Sequence, residues 1–170
     1  MARASGGFTL VELTIVIVVV AIAGLLLAGM FREAIGTFRF VDVEADLLQQ
    51  ARFAEERIAR EVRRVRDKAS VTTATYRTFA FLDRDAVPIV VSWSGTKGDD
   101  LFYSKNGTAL PLAAGVDTLV FSYFTSNGVA AVPLVSPSDT DIRRITIYLR
   151  LAKGGQSVST LGAAALRTLG

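Results

Sequence analysis

Apolar and polar positions fall into two regimes along the chain. From Leu13 to Phe31 the only polar side chain is Thr14, and no Lys, Arg, Asp or Glu interrupts the run. The wider stretch Phe8–Phe31 covers 24 residues, or roughly 36 Å as an α-helix. A bilayer core is about 30 Å thick, so this segment can span a membrane with some tilt. Beyond it, Phe38, Val41, Ala45, Leu48, Ala51, Ala54, Ile58, Val62 and Val65 recur in steps of three or four. That is the stripe of an amphipathic helix, with charges on the opposite side. Glu56 and Arg60 are spaced to pair along it. No proline lies between Met1 and Val87. The pattern therefore predicts one helix from Phe8 to Asp67, with Gly24, Gly29 and Gly36 as its weak points.

From Val71 onward the period changes to two. Ile145, Ile147, Leu149 and Leu151 alternate with Arg144, Thr146, Tyr148 and Arg150, a half-buried strand. Leu119, Phe121 and Tyr123 form a second alternating run. Further strands are expected at Thr72–Leu82, Ile89–Trp93, Leu101–Ser104 and near Val129–Leu134. Asn106-Gly107 and Asn127-Gly128 are hairpin signals between them. The fold class expected is α+β: a long N-terminal helix, membrane-spanning in its first half, packed on an antiparallel β-sheet head.

Composition narrows the chemistry. The chain has 170 residues, no cysteine and no histidine. Disulfides, thiolate sites, cysteine nucleophiles and the Ser-His-Asp triad are excluded, as are the commonest zinc ligands. No phosphate-binding glycine loop and no acid–base carboxylate pair is present. No catalytic residue, cofactor, metal or small-molecule substrate is expected, and the chain is read as a non-enzyme. Mean hydropathy is +0.40, and the excess lies in the N-terminal run. Net charge is only +3, from 19 basic and 16 acidic residues, which does not call for a nucleic-acid partner.

Three readings of the apolar run compete. It is a plain anchor; or a secretory signal cut after Ala21-Ile22-Ala23; or a segment with a further role carried by Glu12. The run continues past the second site through Leu25-Leu26-Leu27, which a cleaved signal has no reason to do. Arg3 and the initiator amine weakly favour a cytoplasmic N-terminus. Glu12 lies five residues into the run. A carboxylate there either snorkels to the headgroups or needs a partner.

The stretch Gly6-Gly7-Phe8-Thr9-Leu10-Val11-Glu12 resembles the processing site of type IV prepilins and type II secretion pseudopilins. Those have a short basic leader ending in Gly, then Phe-Thr-Leu-x-Glu, then about twenty apolar residues. The resemblance implies that a prepilin peptidase cuts between Gly7 and Phe8 and methylates the new Phe8 amine. It implies a leader over 1–7, a transmembrane and assembly helix over 8–31, and a soluble pilin-like head over 32–170. Glu12 would pair with the Phe8 cation of its own or an adjacent subunit, an assembly signal that selects register. The implied partners are the peptidase, other pilin or pseudopilin subunits and inner-membrane lipid. The implied location is the inner membrane, single-pass, with a periplasmic head. Ala59-Arg60-Glu61-Val62-Arg63 is similar to the end of the long helix in J-type minor pseudopilins and W-type minor pilins. Arg143-Arg144-Ile145-Thr146-Ile147 and Ala165-Leu166-Arg167 also look like that group.

Two features remain outside this reading. Arg57, Arg60, Arg63, Arg64, Arg66 and Lys68 crowd the end of the long helix. As a patch they would suit headgroups or DNA; as a solvated face they complement the helix C-terminus. No aromatics interleave with them, so the solvated face is preferred and DNA is not expected as a partner. A pilin-like head that captures DNA or another ligand is the alternative function. Asp99-Asp100 and Asp139-Thr140-Asp141 offer oxygen ligands to calcium, but without a known loop spacing, and turn chemistry explains them better.

Overall fold

The computed structural model describes residues 9–166, without the side chains of 35 and 37–40. One helix, α1, runs from Leu10 to Val62. It passes through Gly24, Gly29 and Gly36 unbroken. Its expected start at Phe8 lies outside the described residues, as does the Phe38 side chain. The chain divides into two compact units, one ending at Asp42 and the other beginning at Val43.

In the second unit, Leu47, Ala51, Ala54, Ile58 and Val62 of α1 are buried in the core. The fully buried face thus begins with Leu47, and Val43 one turn earlier is half-buried against the core; Leu48 is only half-buried, and Val41 and Ala45 are exposed. The ion pair on this stretch is Arg57–Glu61 at 3.1 Å, one position on from the expected Glu56–Arg60. The helix ends five residues before the expected Asp67. Val65 bridges Asp83, and the Arg66 N–H donates to the Leu82 carbonyl at 3.3 Å, so strand-type pairing takes the chain out of the helix. A short 3-10 turn, Lys68–Ser70, follows, capped by the Asp67 carboxylate on the Ser70 N–H. Serine and backbone donors on that carboxylate hold Asp67 below its ordinary pKa.

Nine strands follow: β1 Val71–Ala74, β2 Thr78–Leu82, β3 Pro88–Ser92, β4 Leu101–Lys105, β5 Thr108–Ala113, β6 Val116–Thr125, β7 Gly128–Val129, β8 Arg144–Lys153 and β9 Gln156–Ala165. The fold is the expected α+β class, a long helix against antiparallel sheet, but the sheet is two sheets rather than one. The first has the order β1-β2-β3-β4-β5 and the second β7-β6-β8-β9. The span expected as one strand over Thr72–Leu82 is split because the Thr75 hydroxyl accepts from the N–H groups of Arg77 and Thr78, an ST turn. The strand expected near Val129–Leu134 shrinks to Gly128–Val129. Pro133 has no N–H for a ladder, and Leu134 turns away to donate to the Ala74 carbonyl at 3.0 Å.

Both sheets meet α1. Arg57 lies over the Tyr103 ring of β4, 4.9 Å from its centroid. On β9, Gly162 stands where an added Cβ would run into Glu55, so the strand and helix approach closely there. Between the sheets, Phe79 of β2 packs against Phe121 and Tyr123 of β6, with centroids 6.2 and 5.8 Å apart. These tilted contacts form the aromatic centre of the core.

Candidate assembly segment

The first turn of α1 is built around Thr9. Its hydroxyl accepts from the Glu12 N–H at 3.3 Å, and its carbonyl accepts from the Leu13 N–H at 3.1 Å. Thr9 is therefore the N-cap and Glu12 the third helical residue, the T-x-x-E spacing of a capping box. The cap starts the helix at Leu10 and puts an acidic side chain in the first turn, where the backbone dipole favours negative charge.

From Leu10 to Ala34 the helix is long and apolar enough to cross a membrane, and none of its residues is buried. Leu10, Val11, Leu13, Ile15 and their successors to Phe31 all face outward. A helix hydrophobic all round needs lipid or other helices about it. The two polar side chains near its start, Glu12 and Thr14, differ. The Thr14 hydroxyl donates to the Val11 carbonyl at 2.8 Å and is satisfied within the helix. The Glu12 carboxylate is exposed, and no group among the described residues pairs with it. Gly7 and Phe8, expected as cleavage and methylation positions, lie outside the described residues.

The charged features of the head are mostly occupied. Arg57 is held by Glu61, whose other oxygen, Oε2, is buried without a partner. Arg64 meets Asp83 at 3.3 Å and Asp85 at 3.8 Å, and Arg66 meets Asp67 at 3.7 Å. Arg60, Arg63 and Lys68 face outward from the same end. Asp99 accepts from the Ser94 hydroxyl at 2.7 Å, and Asp141 pairs with Arg143 at 3.0 Å, so both Asp clusters are engaged in their own loops. Lys97 donates to Asp117 at 2.9 Å, which holds that carboxyl below its ordinary pKa. Among the described residues no three His, Cys, Asp or Glu side chains stand together as a metal site.

No protein-family model matches the chain, and no curated protein matches it.

Proposed function

We propose that the chain is a pilin-like structural subunit, a minor pilin or minor pseudopilin. It is inserted in the inner membrane as a precursor and processed by a prepilin peptidase between Gly7 and Phe8. It then assembles into a type IV pilus or type II secretion pseudopilus. One observation carries the reading. An exposed apolar helix begins at a Thr9–Glu12 cap, with a carboxylate in its first turn that has no partner among the described residues. The same helix continues into a half whose face from Leu47 to Val62 is buried on antiparallel sheets. An anchor needs only the first part, and a soluble domain only the second. A subunit that must leave the bilayer and stack by its helices uses both. The Phe8 amine released by cleavage would then stand four residues before Glu12, as its counter-charge within a bundle.

The reading is tested by intact-mass measurement on protein purified from membranes of a host that carries a prepilin peptidase. The expected species begins at Phe8 and carries one added methyl group. A mature chain beginning at Gly24 would overturn the proposal and make the apolar run a secretory signal.

A further inference from the structure

The outer edge of β9 is open along its length. β9 turns back on β8 through Gly154-Gly155, and Lys153 and Gln156 close that turn as the first pair of the ladder. At the far end the Leu166 N–H donates to the Arg143 carbonyl at 2.9 Å. In an antiparallel pair, residues that exchange hydrogen bonds alternate with residues that do not. The even positions of β9, from Gln156 to Ala164, therefore bond to β8. The N–H and C=O groups of Ser157, Ser159, Leu161, Ala163 and Ala165 point away from it. Among the described residues nothing bonds to these main-chain groups. All five residues are exposed, Leu161 at 72%. The open edge is roughly 27 Å long at strand rise.

The other sheet edges are short or blocked. β1 has four residues and β7 two, and β5 carries Pro111, which offers no N–H. β9 runs for ten residues without a proline or a charge. An edge of that kind pairs with another strand unless something covers it. Its two sides carry opposite charge. On the outer side Leu161 continues a row from Val120 through Tyr148, and Arg150 and Arg144 stand across from Ser159 and Ala165. On the inner side Gly162 lies against the Glu55 side chain of α1. Glu55 is half-buried, and its carboxylate has no cation partner among the described residues.

We propose that the edge of β9 takes up an extended segment of another protein as a fifth strand of the second, four-stranded sheet. The side chains of that segment alternate, basic toward α1 and apolar beside Leu161. Main-chain pairing along the edge gives the affinity, and the alternation gives the specificity. A basic side chain on the inner side meets Glu55. On the outer side it would meet Arg144 and Arg150, so the segment enters only one way up. An apolar side chain opposite Leu161 extends the row already formed by Val120 and Tyr148. A second copy of this chain fits less well. β9 has no basic residue to offer, and two such edges paired about a two-fold axis would bring two Glu55 carboxylates to one seam. The inference concerns the head alone and stands whether or not the chain enters a filament.

The probe is the peptide acetyl-Thr-Val-Arg-Val-Thr-amide, with its Gln counterpart as control. Each is titrated into the isotope-labelled full chain in detergent micelles, and amide shifts and hydrogen exchange are read by NMR. In the free chain the amides of Ser159, Leu161 and Ala163 should exchange fast, and those of Val158, Thr160 and Gly162 slowly. With the Arg peptide the first set should shift saturably and become protected. Glu55→Gln should weaken that peptide about fivefold, the worth of one partly exposed ion pair, and leave the Gln peptide unaffected. Ala163→Pro removes one outward donor without touching the β8 ladder and should weaken both peptides about tenfold or more. Slow exchange at Val158 and Thr160 identifies that variant as folded. Equal binding of the Arg and Gln peptides would overturn the charge pairing. No protection of Ser159, Leu161 and Ala163 by either peptide would overturn the site. Protection that rises with protein concentration alone would overturn the choice of partner and assign the edge to a second copy.

Discussion

The Tyr123 hydroxyl donates to the Thr75 carbonyl at 2.8 Å and so ties β6 of one sheet to the turn after β1 of the other. Around it, the Phe121 N–H reaches Tyr76 and the Leu134 N–H reaches Ala74. The seam between the sheets is therefore hydrogen-bonded as well as packed. The Tyr123 side chain is fully buried there.

Burial pushes the Tyr123 phenol far above its ordinary value, and this gives a pH dependence. In the unfolded chain a tyrosine ionises near pH 10; in the fold Tyr123 keeps its proton well beyond that. Above about pH 10 the unfolded state binds fewer protons than the native one, so stability falls as pH rises. Below that pH the contribution is fully present. The expected slope from this group is about 1.4 kcal/mol per pH unit above pH 10. Tyr123→Phe should remove that slope and cost about 1–2 kcal/mol at neutral pH, because the Thr75 carbonyl loses its donor. Urea unfolding of the full chain in detergent, read by fluorescence of the single tryptophan Trp93, checks both.

Asp83 is completely buried and holds four groups. Its Oδ1 accepts from the Asp85 and Val87 N–H groups at 2.9 Å each, and its Oδ2 faces Arg64 at 3.3 Å and Lys105 at 3.8 Å. It thus joins the exit of α1 to the β2–β3 turn and to β4. Asp83→Ala leaves two turn N–H groups without acceptors and should cost more than about 2 kcal/mol. Asp83→Asn keeps the Oδ1 acceptor and should cost less. Arg64→Ala removes a half-exposed partner and should cost about 1 kcal/mol or less. The same Trp93-monitored unfolding ranks the three, and the reverse order would show that the ion pair, not the turn, is what Asp83 supports.

What could be read beforehand follows from how local each cause is. The amphipathic repeat from Ala51 to Val65 and the alternation of Ile145 to Leu151 are visible because burial on one side writes its period into the residues. β5 is not among the expected strands, and of β9 only the end, at Ala165-Leu166-Arg167, is marked by the resemblance. Pro111 and an exposed pattern disguise the first, an edge strand; Gln156-Ser157-Val158-Ser159-Thr160 carries too few apolar residues to mark the second. The division into two sheets rests on contacts such as Tyr123 to Thr75, 48 residues apart, and no local window contains them. At the N-terminus the acid at Glu12 and the helix dipole beside it are legible in the sequence; the cap supplied by Thr9, three residues earlier, shows only in the structure.

Gly115 tests the tight turn between β5 and β6. Its φ is +67°, and an added Cβ would stand 2.8 Å from the Ala152 carbonyl oxygen. That oxygen belongs to main chain fixed by the Ala152 N–H bond to the Gly115 carbonyl at 2.9 Å. Neither side can yield cheaply. Gly115→Ala should destabilise the head by about 1–3 kcal/mol, whereas Gly107→Ala, with nothing near its Cβ, should be milder despite a similar φ. Thermal unfolding by circular dichroism separates them; equal midpoints would show that strain alone governs both sites.

Glu12 distinguishes an anchor from an assembling subunit. A passive anchor should tolerate Glu12→Ala or insert better, since a carboxylate costs about 2.5–3.5 kcal/mol at the bilayer centre and less near a helix end. The substitution keeps the Thr9 cap, which holds the Glu12 main-chain N–H rather than its side chain, and removes only the carboxylate with its small dipole contribution. A change in behaviour would therefore report the carboxylate and not a frayed helix. If Glu12 sets register, Glu12→Ala should show normal membrane levels and normal cleavage at Gly7, yet reduced crosslinking to neighbouring pilin-like subunits. The Phe8 amine would then lack its counter-charge in a low-dielectric bundle. Glu12→Gln should rescue in part, keeping a hydrogen-bond acceptor without the charge. Thr9→Ala, which removes the cap and keeps the acid, should retain more crosslinking than Glu12→Ala. Equal crosslinking of wild type and Glu12→Ala at equal expression would falsify the assembly role and leave Glu12 as a carboxylate that reaches the headgroups.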